Sequence, residues 1–396
     1  MHALVRAVLV GPVLFGSTLA LADEEPPAEP VKESPPVVAV VPRPAAPAPQ
    51  PAPAFAWEPF GYLRMQYIAV QDDPHVQYVG RDDGFELQNA RIGMRGTMKV
   101  SDERTAAFVV AFDGAVDERA QLNSPDGKLR VQLRDAYLDM PATGSLFVRG
   151  GYFAAWVDPQ ALVPDTERAL VDLPIESRGM RATEGYQTPG LPPGRSLGAA
   201  LRLGPSNPAE GIRPGFEIAI QNGADEFASN NDNNTPSVSA ALLLRFPHDG
   251  FLLAAGRYNP RTAGDLPFRR DETDLQGSLG LRVALGPVAL EAGAIVQHTT
   301  YETTGGPSAN AFGAHGQLMV RLNGDPALPI SIGYRFGILD PSSLITTERV
   351  MAHTAAALVG VPRLRMRFQL QLTHVDEQAA RALDNDRVQL AAEVVL

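Results

Sequence analysis

The chain has 396 residues, a formal net charge of −11 at pH 7 and no cysteine. The acidic total argues against a nucleic-acid-binding protein, and the lack of cysteine excludes disulfides and thiolate metal sites. Only Lys32, Lys99 and Lys128 are lysines, so nearly all the positive charge is arginine.

The first 56 residues predict export and a tether. Arg6 precedes an apolar segment that ends in Ala20-Leu21-Ala22, which is typical of a secretory signal peptide over residues 1–22. Residues 23–56 are dominated by Pro and Ala and cannot pack a core, so they predict an extended periplasmic tether. A solvated spacer is the simpler interpretation of the tether, and contact with the cell wall or a periplasmic partner is the alternative.

Alternating apolar and polar segments recur from Trp57 to the last residue and predict strands, because successive side chains of a strand point to opposite faces. After the signal peptide no apolar stretch is long enough for a transmembrane helix. The predicted strands span residues 60–70, 85–98, 104–113, 129–138, 146–153, 197–203, 214–222, 237–246, 250–258, 273–285, 287–299, 311–322, 328–338, 349–359, 362–375 and 386–396.

Short and long connections alternate along these sixteen segments. Tight turns such as "PATG" and "PHDG" follow even-numbered strands, and loops such as "QDDPHVQYVGRDDG" follow odd-numbered ones. Outer-membrane barrels have this asymmetry, with short periplasmic turns and long external loops. The sequence therefore predicts an all-β fold, a 16-stranded antiparallel transmembrane β-barrel over residues 57–396.

The two faces of the predicted strands differ in chemistry. In "RLRMRFQLQLT" (363–373) one face is Arg, Gln and Thr and the other is apolar, which predicts a watery lumen and a lipid-facing surface. The alternation breaks near Asp135, which a bulge or an early strand end would explain. Inward-facing acids are expected to be few, and inward-facing arginines many. The arginines expected to line the pore are Arg64, Arg91, Arg95, Arg130, Arg134, Arg149, Arg257, Arg335, Arg363, Arg365 and Arg367.

The longest connection, from Ala154 to Ser196, follows the fifth strand and is the third external loop. Long loops on barrels are usually functional, and in porins this loop folds inward and narrows the channel. The arginines of the barrel wall either give this constriction a positive field or only hold the acids of the loop in place. The expected constriction residues are Asp158, Asp165, Glu167, Arg168, Asp172, Glu176, Arg178 and Arg181.

Four segments resemble the phosphate-selective porins O and P: "FELQNARIGMRGTM" (85–98), "LRDAYLDM" (133–140), "VRGGYF" (148–153) and "TERALVDLPIESRGM" (166–180). The resemblance extends over about residues 57–396 and implies a trimer of 16-stranded barrels with an arginine-lined, anion-preferring pore. The positions that match the family's arginine ladder are Arg64, Arg91, Arg95, Arg134 and Arg149. The family also clusters lysines to gather phosphate, and this chain has no such cluster.

Other chemistries have weaker support. The seven histidines show no metal-binding spacing, and no serine is placed to form a lipase site with His353 and His374. The acids around Asp225 and Asp232 lack the order of a calcium loop, so a solvated loop is the preferred interpretation. We therefore expect no enzyme activity, no cofactor and no metal.

The predicted function is passive diffusion of small anions, phosphate-like or chloride, through a pore in the cell outer membrane. The expected partners are outer-membrane lipid, small anionic solutes and two further copies of the chain in a homotrimer. Two alternatives stay open at this point: a general non-selective porin, and a structural or anchoring barrel with a plugged pore.

Overall fold

The computed structural model describes residues 54–80, 83–101, 104–116, 129–181, 183–204, 211–223, 235–263, 269–301, 307–379 and 381–396. The predicted signal peptide, nearly all of the predicted tether and the loop from Asp225 to Asp232 lie outside these residues. The first strand begins at Phe55, two residues before the predicted start of the barrel.

Within the described residues, sixteen antiparallel strands form one closed barrel, which confirms the predicted fold. The barrel closes where the first strand pairs with the last, from Tyr62 opposite Val395 to Val70 opposite Arg387. A further two-stranded pair lies between the fifth and sixth barrel strands. The barrel strands are β1 (Phe55–Val70), β2 (Gly84–Lys99), β3 (Thr105–Val116), β4 (Leu129–Thr143), β5 (Leu146–Phe153), β8 (Ser196–Leu203), β9 (Arg213–Gln221), β10 (Ser237–Phe246), β11 (Gly250–Ala263), β12 (Arg270–Leu285), β13 (Val288–Tyr301), β14 (Ala309–Arg321), β15 (Ile330–Asp340), β16 (Arg349–Val361), β17 (Met366–Gln378) and β18 (Arg387–Val395), and the short pair is β6 (Gly179–Met180) and β7 (Thr188–Pro189).

Period-two alternation decides which side chains face into the barrel. In β10, Ser239, Ala241 and Leu243 are buried, whereas Leu242 and Leu244 between and beside them are exposed. The exposed outer face is apolar on nearly every strand, as at Leu279 and Leu390. A soluble protein rarely exposes so much apolar surface, and a closed barrel leaves no unpaired strand edge.

Bulges interrupt the alternation near the start of the barrel, and two of them change which side chains face inward. In β4, Leu133 lies opposite Phe112 and Asp135 lies opposite Ala111, which leaves Arg134 as an extra residue. In β2, Asn89 lies opposite Arg64 and Leu87 opposite Met65, so Gln88 is the extra residue there. The break in alternation near Asp135 is therefore a bulge and not an early strand end.

The strand predicted over residues 362–375 begins later than expected, at Met366. Residues Pro362–Leu364 form a 3-10 turn, and Arg365 adopts the left-handed conformation with φ of 51°. Arg363 and Arg365 are exposed on this turn and do not belong to a wall strand as the alternating pattern had predicted. Pro362 has no N–H to donate to a strand partner, and a tight turn forms there although the alternating pattern runs through it.

Within the described residues, helical structure is confined to short pieces, namely the 3-10 turns Pro159–Leu162 and Asp165–Glu167, the turn before β17, and α1 (Ile175–Arg178). None of the helices in the described part of the chain is long and apolar enough to cross a membrane.

Candidate functional site

The segment between β5 and β8, residues 154–195, contacts inward-facing side chains around the barrel. Its Val163 packs with Leu243 of β10 and Leu253 of β11. Its Asp165 accepts a hydrogen bond of 3.2 Å from the Tyr62 hydroxyl of β1, eight barrel strands away from β11. The segment therefore contacts side chains of β1 as well as those of β10 and β11.

Apolar contacts fix the segment against β14 to β17. Ile175 and Met180 pack with Leu339 of β15 and Val350 of β16. Two glycines of the wall make room for α1. A Cβ at Gly313 would lie 2.2 Å from Cβ of Glu176, and one at Gly337 would lie 2.9 Å from Cγ2 of Ile175. Burial of these apolar side chains stabilises the segment by about 25 cal/mol per Å² removed from water.

Charged side chains of the segment and the wall meet in two groups. The first, here called the Asp165 cluster, joins the segment to β1, β2, β3, β4, β17 and β18. It consists of Arg64, Arg91, Asp113, Arg134, Asp165, Arg168, Arg367 and Glu393.

Within the Asp165 cluster the arginines differ in how well they are paired. Arg91 grips Asp113 through two hydrogen bonds of 2.6 and 2.8 Å and also forms an ion pair with Asp165. Arg64 is 2 % exposed, pairs with Glu393, and donates a 3.0 Å hydrogen bond to the Asp165 carbonyl oxygen. Arg134 is less well paired, since its Nε lies 3.4 Å from Asp113 Oδ2 and its guanidinium 3.7 Å from Asp165 Oδ2.

The second group, the Asp172 cluster, lies around residues 172–184 of the segment. It consists of Glu86, Asp172, Arg178, Arg181, Glu184, Arg335 and Arg387. Arg387 donates a 2.6 Å hydrogen bond to Asp172 and also pairs with Glu184, while Arg335 donates a 2.8 Å bond to the Asp172 carbonyl oxygen. These pairs are buried, and breaking one of them leaves an uncompensated charge, which costs about 3–5 kcal/mol.

The surroundings of the segment move the pKa values of its acids in opposite directions. Burial would raise the pKa of Asp165, but Arg168, Arg134 and Arg91 hold it well below its ordinary value. Against the same effect of burial, Arg178 and Arg387 lower the pKa of Glu184 to about 2. Burial dominates at Asp158 and raises its pKa to about 6. Asp165 and Glu184 therefore stay charged at neutral pH, and Asp158 titrates near it.

A histidine forms a third link between the segment and the wall. His315 of β14 is hydrogen-bonded through Nδ1 to the buried Glu176 of α1, and its Nε2 lies 3.5 Å from Glu291. Glu291 also accepts a 2.7 Å hydrogen bond from Gln160. The described residues contain no cluster of three or more His, Asp or Glu side chains that could hold a metal ion.

The remaining predicted pore-lining arginines lie outside the two clusters. Arg149 is held by Asp139 through two 2.6 Å hydrogen bonds and stacks 3.5 Å from the centre of the Tyr137 ring. Arg257 donates to Asn259 at 3.2 Å, and Arg95 is exposed beside Glu58. The side chain of Arg130 is not among those described. Glu167 is exposed, in contrast to the other predicted acids of the segment.

The expectation of few inward-facing acids is wrong. Further carboxylates face inward besides those of Asp113, Glu217, Glu291 and Glu393. Each lies opposite or beside an arginine or a polar side chain. These are Glu86, Asp135, Asp139, Glu272 and Asp274. The sequence pattern missed Asp139 because the bulge at Arg134 reverses the alternation after it. The pairing of Arg91 with Asp113 could have been predicted by aligning β2 and β3 as an antiparallel hairpin, which places the two residues opposite each other.

No protein-family model and no curated protein sequence matches the chain. Solved structures match its fold. The anion-selective porin from Comamonas acidovorans superposes with a TM-score of 0.58 at 14% identity, over 86% of this chain and 100% of that one. The outer-membrane channel DcaP of Acinetobacter baumannii superposes with a TM-score of 0.57 at 13% identity, over 87% of this chain and 98% of that one. The trimer form of OmpT, an outer-membrane protein of Vibrio cholerae, superposes with a TM-score of 0.57 at 11% identity, over 87% of this chain and 100% of that one.

Identities this low establish a shared fold and nothing finer, so the resemblance to the O and P porins stays a prediction. The chain has the fold of the outer-membrane porins.

Proposed function

We propose that this protein is an outer-membrane porin through which small anions, phosphate-like or chloride, diffuse passively. In this proposal residues 154–195 fold into the barrel and narrow its lumen. The observation that carries the proposal is the charge balance within the two arginine-rich clusters that join the segment to the wall. The Asp165 and Asp172 clusters together hold nine guanidinium groups and six carboxylates.

The surplus of guanidinium groups would favour anions for an electrostatic reason. Charges near a low-dielectric wall interact more strongly than in bulk water, and donors along the path replace part of an anion's hydration shell. Arg134, which has only long ion pairs, and Arg367 are the wall arginines best placed to offer such donors. Several weak sites in sequence let an anion leave as readily as it enters.

The proposed setting is the outer membrane, with lipid against the apolar outer face of the barrel. The backbone N–H of Leu396 donates to the Gly61 carbonyl oxygen at 2.9 Å, so the last residue lies beside the first strand. We propose that the N-terminal tether extends into the periplasm, either as a solvated spacer or in contact with the cell wall. A homotrimer is part of the proposal, and the trimer form of the V. cholerae protein supports it.

A plugged structural barrel is the second candidate, and a specific observation favours it. Residues 154–195 contact inward-facing side chains of both β1 and β11, on opposite sides of the barrel. A segment anchored on both sides could close the lumen and leave the barrel an anchoring role. A general porin is the third candidate, because paired wall arginines and loop acids could cancel any net preference.

Planar-bilayer recording distinguishes the three candidates. We expect the purified protein to conduct, with an anion-selective reversal potential under a KCl gradient. Repeating the measurement with added phosphate shows whether phosphate reduces the chloride current. Absence of conductance would favour the plugged barrel, and a reversal potential near zero or cation-selective would favour the general porin.

A further inference from the structure

Two histidines face each other on the outer surface of the barrel. The strand register places His353 of β16 directly opposite His374 of β17, and their ring centroids are 6.2 Å apart. The neighbouring pair, Thr354 and Thr373, is buried and faces inward, so the two histidines face outward. They therefore lie outside the lumen and away from the proposed permeation path.

The histidine pair lies at the outer border of the apolar surface. His353 is four residues from the start of β16 and His374 four residues from the end of β17, at the strand ends that lead into predicted external loops. Beyond the pair the same face carries the exposed Arg349 and Asp376, and charged side chains are costly against hydrocarbon. Below the pair the exposed Leu372 continues the apolar face. Ions in the external solution can thus reach both rings.

Each ring is anchored through Nδ1 by a neighbour on its far side. The Tyr334 hydroxyl of β15 lies 2.6 Å from Nδ1 of His353, and Oδ1 of Asp386, the residue before β18, lies 2.7 Å from Nδ1 of His374. Because β15 and β18 flank β16 and β17, the two anchors hold the rings from opposite sides. Nε2 lies across an imidazole ring from Nδ1, so it is turned toward the space between the rings.

An anchored Nδ1 is typical of histidines that bind metals. Such a histidine nearly always donates a hydrogen bond from its other nitrogen to a carboxylate or another acceptor, which fixes the tautomer and the orientation of the ring. Asp386 is that acceptor for His374, and the Tyr334 oxygen can accept from His353. Nε2 is left as the ligating atom of each ring, and the negative charges of Asp376 and Asp386 favour a cation nearby.

The separation of the rings suits one metal ion between them. An imidazole nitrogen binds a transition metal at about 2.0–2.1 Å, which places the metal about 3.2 Å from the ring centroid. Two rings on one ion are therefore about 5 Å apart in tetrahedral geometry and up to about 6.4 Å apart when their nitrogens lie on opposite sides of the metal. The distance of 6.2 Å between His353 and His374 falls within this range.

We infer that His353 and His374 form a binding site for one divalent transition-metal ion, with water as the remaining ligands. Imidazole suits Cu²⁺, Ni²⁺ and Zn²⁺, and Cu²⁺ binds nitrogen sites most tightly of the three. Two protein ligands make an open site, unlike the clusters of three or more that are absent from the described residues. The site lies on the outer surface and is independent of the proposed passage of anions through the lumen.

The test is calorimetric titration of the untagged, detergent-solubilised protein with CuCl2, NiCl2, ZnCl2 and MgCl2. We expect one Cu²⁺ per protomer, weaker binding of Ni²⁺ and Zn²⁺, and no saturable binding of Mg²⁺, which prefers oxygen ligands. The electron paramagnetic resonance spectrum of bound Cu²⁺ should show two nitrogen ligands. One nitrogen ligand, one Cu²⁺ shared by two protomers, or no saturable binding of Cu²⁺ would overturn the inference.

His298 provides a matched control for the pair. It also lies on the outer face with its Nδ1 anchored, 2.8 Å from Oδ1 of Asn310, but the residues opposite it are Leu275 and Asn310. His353→Ala and His374→Ala should each raise the Kd for Cu²⁺ at least tenfold, whereas His298→Ala should leave it unchanged. An equal effect of all three variants would show that Cu²⁺ binds to single histidines and would refute the paired site.

Asp386→Asn tests the anchor of His374. Loss of a hydrogen-bonded partner of a metal ligand costs about 10–100-fold in affinity, so we expect a rise of that size in the Kd for Cu²⁺, with two nitrogen ligands still present in the spectrum. An unchanged Kd would contradict the assigned role of Asp386.

Thermal unfolding gives an independent readout. An ion that ties β16 to β17 binds only the folded barrel, so Cu²⁺ should raise the unfolding temperature of the unchanged protein and not that of His353→Ala. If His353→Ala fails to fold on a heat-modifiability gel, His353→Gln takes its place in both measurements. An equal rise in the variant and the unchanged protein would place the stabilising ion elsewhere and overturn the inference.

Discussion

Arg387 donates a hydrogen bond of 2.6 Å to the carboxylate of Asp172, a residue 215 positions earlier in the chain. Arg387 belongs to β18, and Asp172 belongs to the segment between β5 and β8, so this one ion pair joins the end of the barrel to the segment proposed to narrow it. Both side chains are buried, at 5 % and 6 % exposed. Their pairing makes the position of the segment dependent on strand closure.

Arg387→Gln tests that anchor. The change removes the positive charge beside Asp172 and Glu184, and breaking a buried pair of this kind costs about 3–5 kcal/mol. We expect a lower unfolding temperature, a larger single-channel conductance and more open-channel noise, because the segment is held less firmly. Arg349→Gln breaks an exposed pair, worth at most about 1 kcal/mol, and serves as the control. Unchanged noise in Arg387→Gln would show that other contacts suffice.

Arg365 and Arg367 test whether position on the wall decides selectivity. They are two residues apart, but Arg365 is exposed on the turn before β17 whereas Arg367 pairs with the inward-facing Glu393 at 3.0 Å. Arg367→Gln should move the reversal potential under a KCl gradient toward zero or toward cation selectivity. Arg365→Gln should leave it unchanged. An equal shift for both variants would mean that general surface charge, and not the wall, sets the preference.

Gly313 and Gly316 form a matched pair on β14. A Cβ at Gly313 would collide with Glu176, whereas a Cβ at Gly316 would meet no atom within 4 Å. Gly313→Ala should displace α1, weaken the bond from His315 to Glu176 and speed tryptic cleavage after Arg178 and Arg181. Gly316→Ala should behave like the unchanged protein in both proteolysis and conductance. Identical cleavage rates in the two variants would contradict the packing of α1 on the wall.

Asp158 predicts a pH dependence. Burial raises its pKa to about 6, so the side chain is negative at pH 7 and neutral at pH 5. Anion preference should therefore increase as the pH falls from 7 to 5. Asp158→Asn should remove that step, which separates it from any contribution of the neighbouring His315. Reversal potentials recorded at half-unit pH intervals make the measurement.

The pH dependence of the segment's stability should reflect acids whose pKa values are shifted in opposite directions. The folded pKa of Asp158 is raised, so its contribution to stability is complete below about pH 4, the ordinary value, and is lost as the pH rises through 6. The folded pKa values of Asp165, Asp172 and Glu184 are lowered. Their contribution to stability is therefore present above about pH 4 and is lost as the pH falls further. The segment should stay anchored from pH 7 to 5, and rapid tryptic cleavage at pH 5 would argue against this.

The sequence by itself determined the barrel, because the alternation that marks a strand is local. Each predicted segment found its strand, and the apolar faces at Leu63, Leu242 and Leu370 lie outward as expected. The pattern failed only where local geometry departed from it. The turn at Pro362 removed Arg363 and Arg365 from the wall, and the bulge at Arg134 reversed the faces of β4.

Only the tertiary structure decided the charge pairing. Arg64 and Glu393, or Arg387 and Asp172, are brought together by barrel closure and by the path of one long segment, neither of which leaves a periodic signal in sequence. Counting arginines on inward positions therefore predicted where positive charge lies but not how much of it stays unpaired. That balance depends on register and burial, because a carboxylate within about 4 Å neutralises a guanidinium wherever the chain has brought it from.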